Sequence, residues 1–198
     1  MASPSDPQPG AALSRWEAVS RETIADCRVF QVDRVWFRHP RRGTTSDFFV
    51  IGSPDWVHVV ARTVDDQLVL VRQFRYGSEE FSLEVPGGLI DAGEDPVAAA
   101  QRELIEETGY GGGTARLLAQ VRPNPAIQRN TCHLVLIDGV RPIAPMAWDE
   151  HEEIETQVVP VNEAFMLARN GGIMHSLSLT ALFLFEPVWR QPLPPAAV

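Results

Sequence analysis

Apolar and polar residues alternate along much of the first half of the chain with the period of two that a half-buried strand requires. That alternation, carried by β-branched and aromatic residues, predicts strands near Arg28 to Phe37, Phe48 to Ile51, Val57 to Thr63 and Leu68 to Phe74. Asp65 and Asp66 supply the turn between the last two, and Glu80 to Val85 reads as a further short strand. Pro86, Gly87 and Gly88 then break the pattern. More strands are expected around Arg116 to Arg122, His133 to Ile137 and Gln157 to Val161.

Between these groups a helix is signalled at both ends. Asp95 is a good N-cap, Pro96 suits the first helical position and Gly109 suits a left-handed residue past the end, giving a helix of about thirteen residues. A short helix is expected from Asn162 to about Ala168, and a more apolar one from Ser176 or Ser178 through Leu182 and Phe185. Strands dominate the first half and helices bracket the second. The order predicts an α/β class, a sandwich on a sheet of mixed strands, rather than a doubly wound parallel sheet with regularly alternating helices.

Composition narrows this picture. A chain of 198 residues, 44% of them apolar, can bury one substantial core, and one catalytic domain is expected. The segments 1–14 and 190–198 are rich in Pro, Ala and Ser and read as loose tails, with no repeat or linker dividing the body between them. A formal net charge of −9 without an arginine stripe argues against a nucleic-acid partner. All 17 basic residues are arginine. The absence of lysine excludes a Walker-type phosphate loop, a Schiff-base enzyme and a pyridoxal-phosphate enzyme, each of which needs a lysine amine.

No basic-then-apolar leader and no run of about 18 apolar residues is seen, so a soluble cytoplasmic protein without a membrane partner is expected. Cys27 and Cys132 are far apart and lack CxxC spacing, and both read as small core hydrophobes.

The chemistry concentrates between Gly87 and Tyr110. Glu103, Glu106 and Glu107 stand at i, i+3 and i+4 on the expected helix, which brings three carboxylates onto one face with Cβ atoms about 5 to 6 Å apart. Val97, Ala100 and Leu104 form a separate stripe that can pack on a sheet. A divalent cation would relieve the repulsion among the carboxylates. Hard oxygen ligands without Cys or His select Mg²⁺, with Mn²⁺ as the alternative, and Mg²⁺ characteristically joins carboxylates to phosphate oxygens. For two adjacent glutamates on a helix a solvated acidic face is the ordinary explanation; the surrounding residues decide against it.

Gly88, Glu94, Arg102, Glu103, Leu104, Glu106, Glu107, Gly109 and Tyr110 resemble the Nudix box in spacing throughout, with Tyr110 a loose fit to its usual bulky aliphatic end. Seven fixed positions match by chance on the order of once in 10⁸ registers. The resemblance implies an α/β/α sandwich in which Glu103, Glu107 and the Gly87 carbonyl hold metal, Glu106 assists, and Glu94 and Arg102 form a structural ion pair.

The flanking segments VRQFRYGSEEFSLEVPGG and DEHEEIET look like the ADP-ribose pyrophosphatase branch of that family, over roughly Trp56 to Trp189. A catalytic domain at 56–189 and a strand-rich segment at 15–55 follow, the latter resembling the branch's dimer-forming arm and so implying a homodimer. Arg75 matches a strand arginine that contacts substrate phosphate, a task suited to a guanidinium; its plain reading is an exposed strand arginine. Glu84 matches an acidic position of the family, as a substrate contact or as support behind one. Leu89, directly after the two glycines, is a further substrate-binding candidate.

The run Asp149, Glu150, Glu152, Glu153 and Glu155 would ordinarily be a solvated loop. In the resembled branch a glutamate from this region approaches the metals and serves as general base. Glu150 and Glu152 match best, Glu152 also as a metal ligand. Phe48, Phe49 and Trp56 could stack on a nucleobase or simply pack as strand residues, and Phe48 is carried as the candidate. His133 reads as a satisfied core histidine. GYGGGT reads as a cap and loop, since it follows a helix where a dinucleotide fingerprint follows a strand.

The branch often carries a Ser-Pro-Gly loop where this chain has RPNPAIQRN, with only Pro125 near the proline position. The expected activity is Mg²⁺-dependent hydrolysis of the pyrophosphate of ADP-ribose or a related nucleoside-diphosphate sugar. The alternatives are a hydrolase of another nucleoside-diphosphate derivative (a nucleoside triphosphate, dinucleoside polyphosphate, NADH or coenzyme A) and a non-hydrolytic nucleotide-sugar sensor.

Overall fold

The computed structural model describes residues 13–148 and 153–191. The chain divides into two compact units, Met1–Ser53 with Asn124–Asn130, and Pro54–Pro123 with Thr131–Val198.

The first unit is an antiparallel meander of β1 (Glu17–Asp26), β2 (Gln31–Arg38) and β3 (Thr45–Gly52). β1 has no buried position, so no alternation marked it in the sequence; its backbone is ordered by pairing with β2. β2 starts at Gln31 rather than Arg28, because Arg28 takes a left-handed conformation (φ 67°) in the β1–β2 turn. Cys27 sits in that turn and is exposed, correcting the expectation of a core cysteine: a residue at the tip of a hairpin has no apolar layer to enter. Cys132 is buried as expected.

The RPNPAIQRN segment contributes its last seven residues to this unit. Ile51 donates its N–H to the Ile127 carbonyl at 2.7 Å, Arg129 returns one to the Ile51 carbonyl at 3.0 Å, and the Arg129 side chain pairs with the buried Asp33 at 3.0 Å.

The second unit is a mixed eight-stranded sheet. Its strands are β4 (Trp56–Thr63), β5 (Gln67–Arg75), β6 (Glu80–Glu84), β7 (Gly87–Leu89), β8 (Tyr110–Gly111), β9 (Thr114–Val121), β10 (Cys132–Pro142) and β11 (Ile154–Pro160). The order is β11-β5-β4-β10-β8, with β6 on β5, β7 on β4 and β9 on β10. β4 and β10 run parallel at the centre, and antiparallel pairs flank them. Three helices complete the unit: α1 (Pro96–Thr108), α2 (Val161–Asn170) and α3 (Ser176–Arg190).

Successive strand residues point to opposite faces, and both faces of this sheet are covered. Val57, Val59, Ala61, Val69, Val135 and Ile137 pack with Ala99, Ala100 and Leu104 of α1. Val60, Leu68, Leu70, Leu134 and Leu136 pack with Ala164 and Phe165 of α2 and with Ala181, Leu182 and Phe185 of α3. The α/β/α sandwich therefore arises because the central strands are apolar on both sides.

Local signals placed α1 correctly. Asp95 accepts from the backbone N–H of Val97 at 2.9 Å and of Ala98 at 3.1 Å, Pro96 opens the helix, and Gly109 closes it at φ 71°. The break at Gly87 and Gly88 is itself a strand, with Gly87 opposite His58 and Gly88 opposite Val57. A Cβ on Gly87 would strike the Val57 carbonyl, so only glycine lets β7 approach β4 so closely. β11 begins at Ile154, earlier than expected, which places Glu155 on a strand, 3.3 Å from Arg72.

Candidate active site

A cleft of about 870 Å³ opens in the second unit, and Arg75, Gly88, Glu103, Glu107, His58 and His175 are among its lining residues. One wall is the face of α1 that carries Glu103, Glu106 and Glu107, held against the Gly87–Gly88 strand. Gly87 donates its backbone N–H to Glu107 Oε2 at 3.0 Å, and Glu107 is only 5% exposed. The Glu103 carboxylate lies directly over Gly88, and any Cβ there would overlap all three of its terminal atoms.

Arg102 binds this wall together. It holds Glu94 through two hydrogen bonds at 3.0 and 2.9 Å, Glu103 at 2.8 Å, Glu106 at 3.1 Å and the Leu89 carbonyl at 3.0 Å. The hydrogen bonds from Arg102 draw the Glu94 carboxyl below its ordinary range, and the same contacts raise Arg102 further still. The expected Glu94–Arg102 pair is present, and Arg102 also offsets part of the repulsion among the α1 carboxylates. Downstream of β10, Ala147 donates to the Glu106 carbonyl at 2.9 Å and the Trp148 indole to the Glu107 carbonyl at 3.0 Å, so the last turn of α1 is capped from outside.

The opposite wall is built on Arg75 and Glu84. Arg75 Nε and a terminal nitrogen donate to the two oxygens of Glu84 at 2.7 and 2.6 Å, and Glu84 is 0% exposed. Burial alone would push its carboxyl up, but the hydrogen bonds and charge of Arg75 outweigh it and the net shift is downward. Glu84 thus stands behind the cleft surface, against Arg75. Leu89 lines the cleft, 40% exposed, beside Gly88. Phe48 belongs to the first unit, where its half-exposed ring meets Trp16 and Phe37 edge-on, while the residues lining the cleft come from the second unit. Glu150 and Glu152 lie outside the described residues.

Two histidines complete the cleft that sequence reasoning did not single out. His58 on β4 and His175 at the start of α3 stack with centroids 5.1 Å apart at 23°, and His175 Nδ1 lies 3.4 Å from Glu84. Burial, then the nearby His175, pushes His58 down to about 3; burial also lowers His175. No spacing rule joins positions so distant in sequence. The available signal was His175 standing before the SLS start of α3, where a side-chain acceptor is wanted. His133 is buried, 3.4 Å from Gln120 and 3.5 Å from Asp55, as a core histidine.

Among the described residues no three acidic, histidine or cysteine side chains converge as a ready cation cage. The donors present still fit a hard divalent ion. Glu103 and Glu107 stand one turn apart on α1, and the absence of a Cβ on Gly88 lets the Glu103 carboxylate sit against the strand beside Glu107.

Comparison with known proteins agrees with this geometry. The NUDIX domain family model matches residues 53–177. A CMP-5'-(N-acetyl-N-hydroxy-3-aminopropyl)phosphonate hydrolase from Streptomyces rubellomurinus is 29% identical, covering 90% of this chain and 87% of that protein. An ADP-ribose pyrophosphatase from Mycobacterium tuberculosis is 28% identical, covering 90% of this chain and 88% of that one. The crystal structure of an ADP compounds hydrolase superposes with a TM-score of 0.80 at 27% identity, covering 91% of this chain and 97% of that one. The chain belongs to the NUDIX domain family. Hydrolases of this family generally use divalent metal ions. Among the described residues no helix is long and apolar enough to cross a membrane.

Proposed function

We propose that this Nudix pyrophosphohydrolase cleaves the pyrophosphate of ADP-ribose or a related nucleoside-diphosphate sugar, releasing a nucleoside monophosphate and a sugar phosphate. The observation that carries the reading is one cleft holding the Glu103–Glu107 face on the Gly87–Gly88 strand together with Arg75. The names of the Mycobacterium and crystallographic relatives support an ADP-linked substrate.

Glu103, Glu107 and the Gly87 carbonyl would hold Mg²⁺, with Glu106 assisting and Glu152 as a further ligand. When bound, the ion neutralises phosphate charge and makes phosphorus a better electrophile. Arg75, fixed by Glu84, grips non-bridging phosphate oxygens and orients the diphosphate in the cleft. Leu89 lies against the substrate beside the glycine strand. Glu150 or Glu152 takes the proton of the attacking water as its oxygen bonds to one phosphorus and the anhydride bond breaks toward the other phosphate.

The same reading includes a cytoplasmic homodimer. Val19, Ile24 and Phe49 of the first unit carry exposed apolar side chains, which a second copy would cover.

The test is a product-release panel with Mg²⁺ across ADP-ribose, other nucleotide sugars, NADH, dinucleoside polyphosphates, nucleoside triphosphates and a CMP-linked phosphonate. ADP-ribose or a nucleotide sugar is expected to lead in kcat/KM. A nucleoside triphosphate in first place would overturn the substrate assignment, and binding without turnover of any compound would mark a sensor.

A further inference from the structure

We propose that His175 is a substrate-binding residue that donates its Nε2–H to a phosphoryl oxygen of the diphosphate, a proposal that rests on the reading of this cleft as a diphosphate site. Ser178 is wholly buried, and its hydroxyl oxygen already accepts the Val85 backbone N–H at 3.1 Å. Its own proton needs an acceptor, and His175 Nδ1 stands 3.1 Å away. The Ser178 backbone N–H is aimed at the same nitrogen at 3.4 Å. Two donors directed at one ring nitrogen make Nδ1 the acceptor and leave the ring proton on Nε2.

Glu84 Oε2, 3.4 Å from Nδ1, would favour the opposite tautomer. That oxygen already accepts from the Arg75 guanidinium at 2.6 Å, which weakens its pull on a second proton. With Nδ1 turned to Ser178 and Glu84, the far edge of the imidazole carries Nε2, and His175 lines the cleft with about a quarter of its side chain exposed (26%).

The ring is also held in plane. His58 stacks on it, and burial keeps both imidazoles neutral near pH 7, so the stacked pair carries no mutual repulsion. His58 Nδ1 is buried without a hydrogen-bond partner among the described residues, and the ring meets His175 through its face. Arg75 and His175 thus stand beside one buried carboxylate and face one cleft, a guanidinium and an N–H donor together. An ionised phosphoryl oxygen accepts from both and donates to neither, which is the complement this pair selects.

Two substitutions separate binding from capping. His175→Asn retains a short cap acceptor for the α3 start but lacks the second ring nitrogen; His175→Gln carries a donor to about the Nε2 position and weakens the cap. For ADP-ribose with Mg²⁺, His175→Asn is expected to lower kcat/KM about 10-fold, chiefly through KM, with Tm within about 2 °C of the parent. His175→Gln is expected to stay within about 3-fold in kcat/KM and to lose Tm. Parental kinetics in His175→Asn would reduce His175 to a helix cap and overturn the proposal.

Imidazole ¹⁵N spectra of the Mg²⁺-loaded full chain supply a readout independent of turnover. They should show His175 protonated on Nε2 and that nitrogen shifting when inorganic pyrophosphate is added. A proton on Nδ1, or no response to pyrophosphate, would also overturn it. Failure to hydrolyse ADP-ribose with the shift intact removes the proposed substrate alone, whereas hydrolysis without the shift removes the role of His175 alone.

Discussion

Arg75 and Glu84 are joined by two near-parallel hydrogen bonds of 2.7 and 2.6 Å, with the carboxylate wholly buried and the guanidinium reaching the cleft. Removing Arg75 alone strands the buried Glu84 charge and costs about 3 to 5 kcal/mol, whereas replacing both by apolar residues is far milder. Arg75→Met should therefore lower both Tm and kcat/KM. Arg75→Met with Glu84→Leu should recover most of the Tm while leaving activity down by about 100-fold or more. Thermal melts alongside kinetics check this, and a double variant with parental activity would remove Arg75 from phosphate binding.

The two glycines of β7 should respond differently to alanine. At Gly87 the new Cβ meets the Val57 backbone, which cannot move aside without opening β4, so a loss of about 1 to 3 kcal/mol or more is expected in a denaturant melt. At Gly88 it meets the Glu103 carboxylate, the end of a flexible side chain. Gly88→Ala should stay folded while the Mg²⁺ concentration for half-maximal activity rises, and an unchanged Mg²⁺ requirement would count against Glu103 as a ligand.

Metal removal tests the α1 carboxylates directly. Dialysis against a chelator should abolish hydrolysis and added Mg²⁺ restore it, with Mn²⁺ as a substitute. Glu103→Gln and Glu107→Gln should each cost about 100-fold or more in kcat at saturating Mg²⁺, the scale of several kcal/mol of lost charge stabilisation. Near-normal turnover in Glu107→Gln would rule out its metal role.

The His58 shift sets a pH dependence of stability. Its folded value lies near 3 against an ordinary 6.5, so between those values the unfolded chain binds a proton that the folded chain refuses. Stability is therefore complete above about pH 6.5 and falls as the pH drops toward 3, by roughly 2 kcal/mol at pH 5. His58→Phe should flatten the decline in Tm between pH 7 and pH 5. Parallel curves for parent and variant would show that His58 is protonated in the folded protein.

Local order along the chain determined a good deal of this. Asp95, Pro96 and Gly109 bound α1 because caps and turns depend on neighbours a few residues apart, and the same short range sets Glu103 and Glu107 one turn apart. Two-residue alternation located β4, β5, β6 and β10 within a few residues, but exposed β1 and glycine-rich β7 carry no such pattern, since pairing with another strand is what makes them strands. Only the tertiary structure decided that residues 124–130 close against β3, that Glu84 is buried behind Arg75, and that His58 and His175 stack in the cleft. Each of those depends on groups far apart in sequence meeting across the sheet, where burial and charge compensation, rather than spacing, set what a side chain can do.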